Sequence, residues 1–521
     1  MSELKTSCPK INRCPAFLRS SEFWIGTGIF VFTVLWFGCF ALLRIDLHHD
    51  AVMLKPAIDI AAGKVIFRDT FCQYGALAVW IQALAVKIFG GEIAVIQLLT
   101  VLFYGGCAVL CDRIFRRFLT LPFRGLNLVM FLGMAPFYMV PMHPWSSVYA
   151  LFFMLLNIEF MLRFLEGGGT PVLLSAGGFA GLAFLSRHPC GVVFIPGLVV
   201  LGVMALCGKA NRRSFAVYFS GFGAVLAVFA LYLTLVGAWS DYLRQCFGFV
   251  FGFAVARGGN LQWGEIAKRF FPLNEVLWLI DTVYSVLPLL CIGWAAAVLR
   301  RIHRVSEPVL ATDLKYLLIA VAGLVSWHQY YPVPCLRHLY WAGIPMFGVL
   351  ALTAQKLWAS PERKVLKRAA ALLLVFVALF PVGFRIGFGA VPLLGSASKF
   401  ARVTHLPGLR NMRLSGRELS VLNPIQQVFD LLPPEIKSRG VFNYTPDAVF
   451  SVMLPETDFR HRMFVNWGGA VYPDYPEKAL AYILRVRPAV ISQQPMILPD
   501  YQLVLQTELY GLQYWFYVPL Y

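Results

Sequence analysis

The feature that most limits the fold of this chain is a set of apolar runs long enough to cross a lipid bilayer. Residues 23–43, 191–207 and 276–299 are each close to the ~20 residues that a helix needs to span ~30 Å of hydrocarbon. A bilayer offers the backbone no hydrogen-bond partners, so such runs must be helical. The composition agrees, because only 14% of the 521 residues are charged and 59% are hydrophobic. The sequence therefore predicts an all-α polytopic membrane protein.

Basic residues between the runs predict how the chain crosses the membrane. They cluster at 113–124, 209–213, 300–304 and 356–368, and loops rich in Lys and Arg stay on the cytoplasmic side. This rule gives a cytoplasmic tail at 1–22 and a transmembrane region at 23–387, in the inner (cytoplasmic) membrane. The eleven predicted spans are 23–43, 92–112, 125–141, 147–165, 172–186, 190–207, 214–236, 276–299, 312–327, 339–355 and 369–387.

The same distribution explains the formal net charge of +18. A nucleic-acid-binding surface combines a continuous basic stripe with stacking aromatic residues. Here the basic residues instead lie in short runs between spans. Binding of nucleic acid is therefore excluded, and the lipid bilayer is the partner that the charge pattern indicates.

Three segments on the predicted outer side, 44–91, 237–275 and 388–521, are too long to be simple turns. Loop 44–91 has helical periodicity interrupted by charge, which predicts two interfacial helices at Ala51–Gly63 and Tyr74–Phe89. Segment 388–521 has the composition of a soluble domain and alternates helix and strand patterns, which predicts a small α/β domain on the periplasmic or extracytoplasmic side. Its predicted helices are Asn423–Leu432 and Pro476–Val486, and its predicted strands are Gly440–Asn443, Ala489–Gln493, Tyr501–Gln506 and Tyr514–Val518.

The first outer loop carries the densest group of chemically competent residues. A carboxylate at the membrane edge, Asp50 or Asp46, can accept a proton from an attacking hydroxyl or amine. The cations Lys55 and Arg68 can stabilise a departing phosphate. The alternative is that the acids cap a helix while the cations reach lipid headgroups. Further polar candidates in the same loop are His49, Asp69, Gln73 and Tyr74.

Two other segments on the predicted outer side add polar candidates. Residues 327–341 contain Tyr330, Arg337 and His338 between two spans, and Arg187 interrupts two apolar runs at the same face. The guanidinium fork matches two phosphate oxygens, which favours Arg337 as a phosphate ligand. An interfacial belt of aromatic and basic residues is the alternative.

Neither a metal nor another cofactor is predicted. Several histidines fall on the outer side near Asp50, including the adjacent pair His48 and His49. Adjacent histidines do not have a metal-ligand spacing on a helix. The 11 cysteines are scattered and include no Cys-x-x-Cys pair.

These residues together resemble the GT-C superfamily of membrane glycosyltransferases. The resemblance lies in the first span, the acidic motif that follows it, the two interfacial helices, and the stretch Gly63-Lys-Val-Ile-Phe-Arg-Asp69-Thr-Phe-Cys-Gln-Tyr-Gly75. Protein O-mannosyltransferases and lipid A aminoarabinose transferases are members. The resemblance implies transfer of a sugar from a polyprenyl-phosphate donor to a glycan, lipid or protein acceptor.

The resemblance also implies roles for particular residues. The loop acid would be the base, and the loop containing Arg337 resembles the one that many members place over the donor phosphate. Many members carry an Asp-Glu pair where this chain has His49-Asp50, with Asp46 one turn earlier. Asp50 is favoured as the base by its position in the motif, and Asp46 is the second candidate.

Two readings compete with a glycosyltransferase. A transporter or lipid-carrier flippase would also explain the many spans, but transporters carry repeats and broken helices near the bilayer midplane. A non-catalytic envelope-assembly protein would make the clustered acids incidental. The position of the polar residues at the outer edge favours the enzyme.

Overall fold

The structure is a computed structural model that describes residues 21–136, 142–249, 278–302, 307–330, 336–459, 472 and 474–520. Most of the predicted cytoplasmic tail, 1–22, lies outside the described residues, and so do the last residues of the predicted span 125–141.

Each apolar run forms a helix, and all eleven predicted spans coincide with helices of the structure. Two further helices, α2 and α3, follow the first span where the sequence predicts them. The bounds are α1 Ser21–Ala41, α2 His49–Ala61, α3 Ala76–Phe89, α4 Ile93–Phe115, α5 Leu121–Gly133, α6 Ser146–Leu165, α7 Thr170–Ser186, α8 Phe194–Leu206, α9 Arg212–Val236, α10 Trp278–Ile302, α11 Glu307–Ser326, α12 Leu336–Ala359 and α13 Lys364–Arg385.

Eight helical stretches of the described chain are long and apolar enough to cross a membrane. They contain α1, α4, α6, α8, α9 and α13 and most of α10 and α11. Helices α3, α5 and α7 are apolar but shorter. The chain is a multi-pass membrane protein.

Small residues allow close contact between helices in the bundle. At the crossing of α7 and α9, a Cβ added to Gly177 would lie 2.1 Å from the carbonyl oxygen of Tyr218. A Cβ added to Gly221 would lie 2.1 Å from the carbonyl oxygen of Leu174. Because helices in lipid associate through close backbone packing, glycine is required on both sides of this contact.

The C-terminal segment folds as a small α/β domain, as predicted. A two-stranded ribbon of β1 (Ala401–Arg402) and β2 (Arg413–Leu414) precedes a four-stranded sheet with the order β3-β4-β6-β5. Strands β3 and β4 are parallel, whereas β4, β6 and β5 are antiparallel neighbours. The strands are β3 Val441–Tyr444, β4 Ala489–Ser492, β5 Tyr501–Leu509 and β6 Leu512–Pro519.

Helices cover this sheet and connect its strands. The domain contains α14 (Gly416–Leu431), α15 (Val449–Met453) and α16 (Tyr475–Val486), with a short turn of helix at Pro434–Lys437. Helix α14 begins at a capping box, in which Ser415 and Glu418 bond each other's backbone N–H groups. This box starts the helix earlier than the predicted Asn423–Leu432. The chain between the bundle and the domain contains short helical segments at Ile386–Ala390, Val391–Gly395 and Ala397–Lys399.

Backbone hydrogen bonds join the domain to the first loop, residues 42–75. The Arg413 N–H donates to the Leu42 carbonyl at 2.8 Å, and the Arg44 N–H donates to the Arg413 carbonyl at 2.9 Å. The Val449 N–H at the start of α15 donates to the Leu47 carbonyl at 2.9 Å. The C-terminal domain therefore lies directly over the loop in which the sequence predicts the chemistry.

Candidate active site

Asp46 organises the first turn of α2. One carboxylate oxygen, Oδ1, accepts the backbone N–H groups of His48 and His49 at 3.0 and 2.8 Å. The other, Oδ2, contacts His49 Nδ1 at 2.9 Å. The first N–H groups of a helix have no partner within the helix, so an acid before the first turn satisfies them. The Asp46 side chain nevertheless keeps 24% of its surface exposed.

Asp50 occupies very different surroundings although it lies one turn further on. Its side chain is fully buried. Oδ1 contacts His143 Nδ1 at 2.5 Å, and Oδ2 accepts the Asp46 N–H at 3.0 Å and Gln97 Nε2 at 3.3 Å. Both oxygens are therefore engaged inside the protein, and none is open to an incoming acceptor. Of the two predicted bases, the accessible one is Asp46.

His143 connects the two aspartates. Its Nδ1 contacts Asp50, while its Nε2 lies 3.8 Å from Asp46 Oδ2. That Nε2 is buried and has no hydrogen-bond partner within the described part of the chain. Burial lowers the pKa of His143, although the Asp50 charge acts in the opposite direction. A neutral ring that donates from Nδ1 to Asp50 would leave Nε2 as an unused acceptor.

The charges around Asp46 keep its carboxyl ionised. Burial opposes ionisation, but the hydrogen bond and charge of His49, together with His143, outweigh burial and hold the pKa of Asp46 well below its usual range. Burial also lowers the pKa of His48 to about 4, so this ring is neutral near pH 7. The cluster thus presents a carboxylate surrounded by imidazoles.

The C-terminal domain contributes one edge of the cluster. The Pro446 carbonyl contacts His48 Nδ1. Next to it, the buried Asp447 accepts hydrogen bonds from Tyr514 Oη at 2.6 Å and Gln493 Nε2 at 2.5 Å. Burial raises the pKa of Asp447, and the charge of Asp46 raises it further. The two carboxylates are therefore close enough to interact across the interface between loop and domain.

Gly75 brings Tyr74 against the end of α7. A Cβ at Gly75 would lie 2.0 Å from the Leu185 carbonyl oxygen, so no larger residue fits without movement of the backbone. The Arg187 guanidinium consequently lies 5.8 Å from the centre of the Tyr74 ring. Arg187 also donates to Ser147 Oγ at 2.5 Å. No carboxylate in the described ranges pairs with Arg187.

Arg337 is another predicted phosphate ligand near this cluster. It lines a small cavity with His143, at the start of α12. Its charge lowers the pKa values of His48 and His143, although burial is the larger cause for both rings. Burial raises the pKa of Tyr74, against the charges of both Arg187 and Arg337. Arg337 is half-buried and, like Arg187, has no carboxylate partner among the residues that the structure describes.

Lys55 and Arg68, the other two predicted phosphate ligands, are instead neutralised by carboxylates. Lys55 Nζ lies 2.6 Å from Asp59 Oδ1 and 3.2 Å from Glu456 Oε2. Arg68 binds both oxygens of Asp69 at 2.9 and 2.8 Å. Neither cation has a described contact with the group around Asp46.

The remaining predicted residues have mainly packing roles in the described contacts. Gln73 Nε2 donates to Tyr74 Oη at 2.6 Å, which fixes the phenol. Tyr330 is buried with its ring 5.4 Å from that of Trp327. The His338 ring lies 5.6 Å from that of Trp341.

Three residues in or around the cluster have no place among the sequence-based candidates: Gln97, His143 and Asp447. His143 stands next to Pro144 between two spans, and Gln97 is a lone polar residue in the first turns of a span. Gln97 is a polar residue at a costly position within a span, and that was the available signal for it. No signal in the sequence marked Asp447, because its position near Asp46 depends on how the C-terminal domain packs against the first loop.

The described residues include no group of three or more His, Cys, Asp or Glu side chains arranged to hold a metal ion. The prediction that no metal is used stays a prediction.

Comparison with known proteins relates this arrangement to sugar transfer. A family model described as dolichyl-phosphate-mannose-protein mannosyltransferase matches residues 75–239. This range runs from Gly75, before α3, to a point just beyond α9. No curated protein matches the chain by sequence.

Several solved structures are similar to the chain. The Archaeoglobus fulgidus oligosaccharyltransferase, solved in complex with Zn and sulfate, has a TM-score of 0.50 at 13% identity and covers 89% of this chain and 68% of its own. ArnT from Cupriavidus metallidurans, solved bound to undecaprenyl phosphate, has a TM-score of 0.49 at 12% identity. The match covers 96% of this chain and 98% of ArnT. The arabinosyltransferase EmbB from Mycobacterium smegmatis has a TM-score of 0.42 at 11% identity. The match covers 75% of this chain and 42% of EmbB.

The chain is a multi-pass membrane protein whose fold is similar to that of the Archaeoglobus fulgidus oligosaccharyltransferase, and its residues 75–239 match a mannosyltransferase family model. These similarities confirm the resemblance to the GT-C glycosyltransferases that the first loop indicated.

Proposed function

We propose that this enzyme transfers a sugar from a polyprenyl-phosphate donor to a glycan, lipid or protein acceptor of the cell envelope, at the outer face of the inner membrane. One observation carries the proposal: Arg337, which has no carboxylate partner among the described residues, lines a cavity with His143, whose Nε2 lies 3.8 Å from the ionised, partly exposed Asp46. Arg187, which also lacks a carboxylate partner in the described ranges, lies 5.8 Å from the centre of the Tyr74 ring. The name of the matching family model, with dolichyl-phosphate-mannose as donor, supports a polyprenyl-phosphate carrier.

The two arginines suit the leaving group of this reaction. As the bond between the anomeric carbon and the phosphate oxygen breaks, negative charge develops on the phosphate. Guanidinium groups stabilise that charge with two parallel hydrogen bonds, and most strongly where water is excluded. The charges of Arg187 and Arg337 both act on Tyr74, and in this proposal the two arginines hold the phosphate near that ring.

Asp46 is the base in this proposal, in place of the initially favoured Asp50. The acceptor hydroxyl or amine attacks the anomeric carbon, and its proton passes to a free edge of the Asp46 carboxylate. A new bond joins the acceptor to the sugar, and the polyprenyl phosphate leaves with the electron pair of the broken bond. Asp46 afterwards releases the proton to solvent.

Donor binding would strengthen this base. A carboxyl with a strongly lowered pKa is ionised but accepts protons poorly. A phosphate between the arginines adds negative charge close to Asp46, and a nearby like charge raises the pKa of a carboxyl. The base would thus gain strength once the donor is in place.

Asp50 has a positioning role in this scheme. It holds His143 and the backbone of Asp46 without reaching the reacting atoms. Its buried contacts predict a larger contribution to folding than that of Asp46.

Replacement of each aspartate by asparagine tests the assignment. Asp46→Asn keeps the size of the side chain but removes the proton acceptor, so we expect a loss of at least ~10²-fold in turnover, with normal folding. Asp50→Asn should lower thermal stability by about 1–3 kcal/mol and slow turnover less. Turnover is measured as polyprenyl phosphate released from a panel of polyprenyl-phosphate hexoses and pentoses, in membranes that contain the native acceptor. Full activity of Asp46→Asn would refute the assignment.

A further inference from the structure

A second cavity, of about 350 Å³, lies between α2 and the C-terminal domain. It is lined from one side by Val52, Lys55 and Asp59, which recur along one face of α2 at helical spacing. The C-terminal domain closes the other side with residues of β3, α15 and the segment 456–459. Asp50 lies on a different face of α2, toward Gln97 of α4.

One wall of this cavity is aromatic. It is formed by Phe71 of the first loop and by Phe442, Phe459 and Tyr475 of the domain. The Phe459 ring lies 5.4 Å from the Phe442 ring and 5.5 Å from the Tyr475 ring. These contacts hold the rings in fixed orientations, so the wall is preformed.

The polar side chains that line the cavity form its polar wall and pair with one another. Lys55 joins Asp59 to Glu456, and Lys64 contacts Asp59 at 3.1 Å. Thr70 Oγ1 donates to Asp59 Oδ2 at 2.8 Å. Charged groups held in this way offer both donors and acceptors in fixed directions.

The charge balance selects against phosphate. The ionisable residues that line the cavity are two lysines and four carboxylates: Lys55, Lys64, Asp59, Asp69, Glu456 and Asp458. An anion would face a net negative surface there, whereas Arg187 near Tyr74 and Arg337 near His143 attract it. The cavity and the donor-phosphate site therefore recognise different chemistry.

A saccharide ring matches both walls. Sugar rings have an apolar C–H face and a rim of hydroxyl groups, and ligand sites combine aromatic surface with a few placed polar groups. Lys55 and Asp59 lie five and nine residues beyond Asp50, or roughly 7 to 14 Å along α2. A ring bound here would be well removed from the atom that reacts near Asp46.

We propose that this cavity binds a saccharide ring of the acceptor, remote from the group that receives the transferred sugar. The inference rests on the proposed function, since it assumes an acceptor that carries a glycan. It narrows the acceptor to a glycan or a glycolipid, because a protein without sugar would leave this cavity unused.

Ser451 offers a matched pair of variants. It lines the cavity and accepts a hydrogen bond from Asn443. Ser451→Tyr would fill the cavity, whereas Ser451→Ala removes only the hydroxyl. Glu456→Gln removes one charge from the polar wall. Thermal unfolding shows which variants fold like the full-length wild-type protein.

Saccharide binding is measured on the full chain in detergent micelles by saturation-transfer NMR. The probes are the methyl glycosides of glucose, mannose, galactose and N-acetylglucosamine and their β-linked disaccharides. We expect transfer to ring C–H protons with wild type and Ser451→Ala. Ser451→Tyr should weaken binding at least about tenfold, or 1.4 kcal/mol. Glu456→Gln should weaken it less. No signal with the wild type, or equal signals with both Ser451 variants, would overturn the proposal.

Kinetics separate the two possible sources of the ring. Ser451→Tyr should raise the KM for the acceptor about tenfold and leave the KM for the donor unchanged. The reverse result would assign the ring to the donor and overturn the acceptor site. Full activity of Asp46→Asn, with saccharide binding still lost in Ser451→Tyr, would refute the proposed base without affecting this cavity.

Discussion

At the scale of single residues, two side chains that look equivalent in the sequence differ in burial. Asp46 and Asp50 are one turn apart, yet one is partly exposed and the other fully buried. The difference comes from His143 and Gln97, which lie 93 and 47 positions away from Asp50 in the chain. A sequence motif reports neighbours along the chain and cannot report such contacts. The first loop could therefore be predicted as the site, but the accessible acid within it could not.

Contacts in the structure also divide the predicted phosphate ligands into those with a carboxylate partner and those without one among the described residues. Arg337→Ala removes a guanidinium that no described carboxylate neutralises, so we expect the affinity for undecaprenyl phosphate to fall at least about tenfold, the effect of losing one charged hydrogen bond. Arg337→Lys should restore part of it, because a point charge cannot reproduce the fork. Binding is measured on purified protein by titration calorimetry.

Arg68→Ala is the matched control, since Asp69 already pairs with that arginine. Its affinity for undecaprenyl phosphate should stay within about twofold of the wild type, as exposed ion pairs contribute little. Equal losses in Arg68→Ala and Arg337→Ala would contradict the division between paired and unpaired cations.

At the scale of helices and strands, local patterns predicted most of the architecture. Apolar runs predicted the spans, and the predicted strand Ala489–Gln493 matches β4, because these signals are contained within each element. The predicted start of α14 was wrong by several residues, because the capping box at Ser415 lengthens the helix through a polar stretch. Contacts between helices left a weaker signal in the sequence than the pattern within each helix or strand. Gly75, for example, is required by the carbonyl of Leu185, which belongs to a distant helix.

Gly75 is therefore the position at which contact between elements can be tested. Gly75→Ala would force the start of α3 away from the end of α7 and separate Tyr74 from Arg187. We expect a loss of about 1–3 kcal/mol in stability, typical of overpacking, and lower turnover. Gly223→Ala in α9 is the control, because its added Cβ would meet nothing within 4 Å. Equal melting temperatures and rates for the two variants would show that the close contact is unimportant.

At the scale of the whole molecule, the structure separates a basic end from a catalytic end. Arg117 and Lys315 both pair with Glu166, and Thr120 donates to Gln355. These contacts gather the predicted cytoplasmic loops at one end of the bundle. The first loop and the C-terminal domain lie together at the other. That all the basic clusters lie on one side of the membrane stays a prediction.

This polarity leads to a prediction about orientation. Loops rich in Lys and Arg remain in the cytoplasm, so the C-terminal domain should face outward. Single cysteines replacing Lys364, at the start of α13, and Gln502, on β5, would be placed in a background that lacks the native cysteines. Both positions are exposed, so accessibility depends only on the side of the membrane. A membrane-impermeant maleimide should label Gln502→Cys in cells with a permeabilised outer envelope, and Lys364→Cys only after lysis. Labelling of Lys364→Cys before lysis, with Gln502→Cys protected, would reverse the orientation and place sugar transfer on the cytoplasmic face.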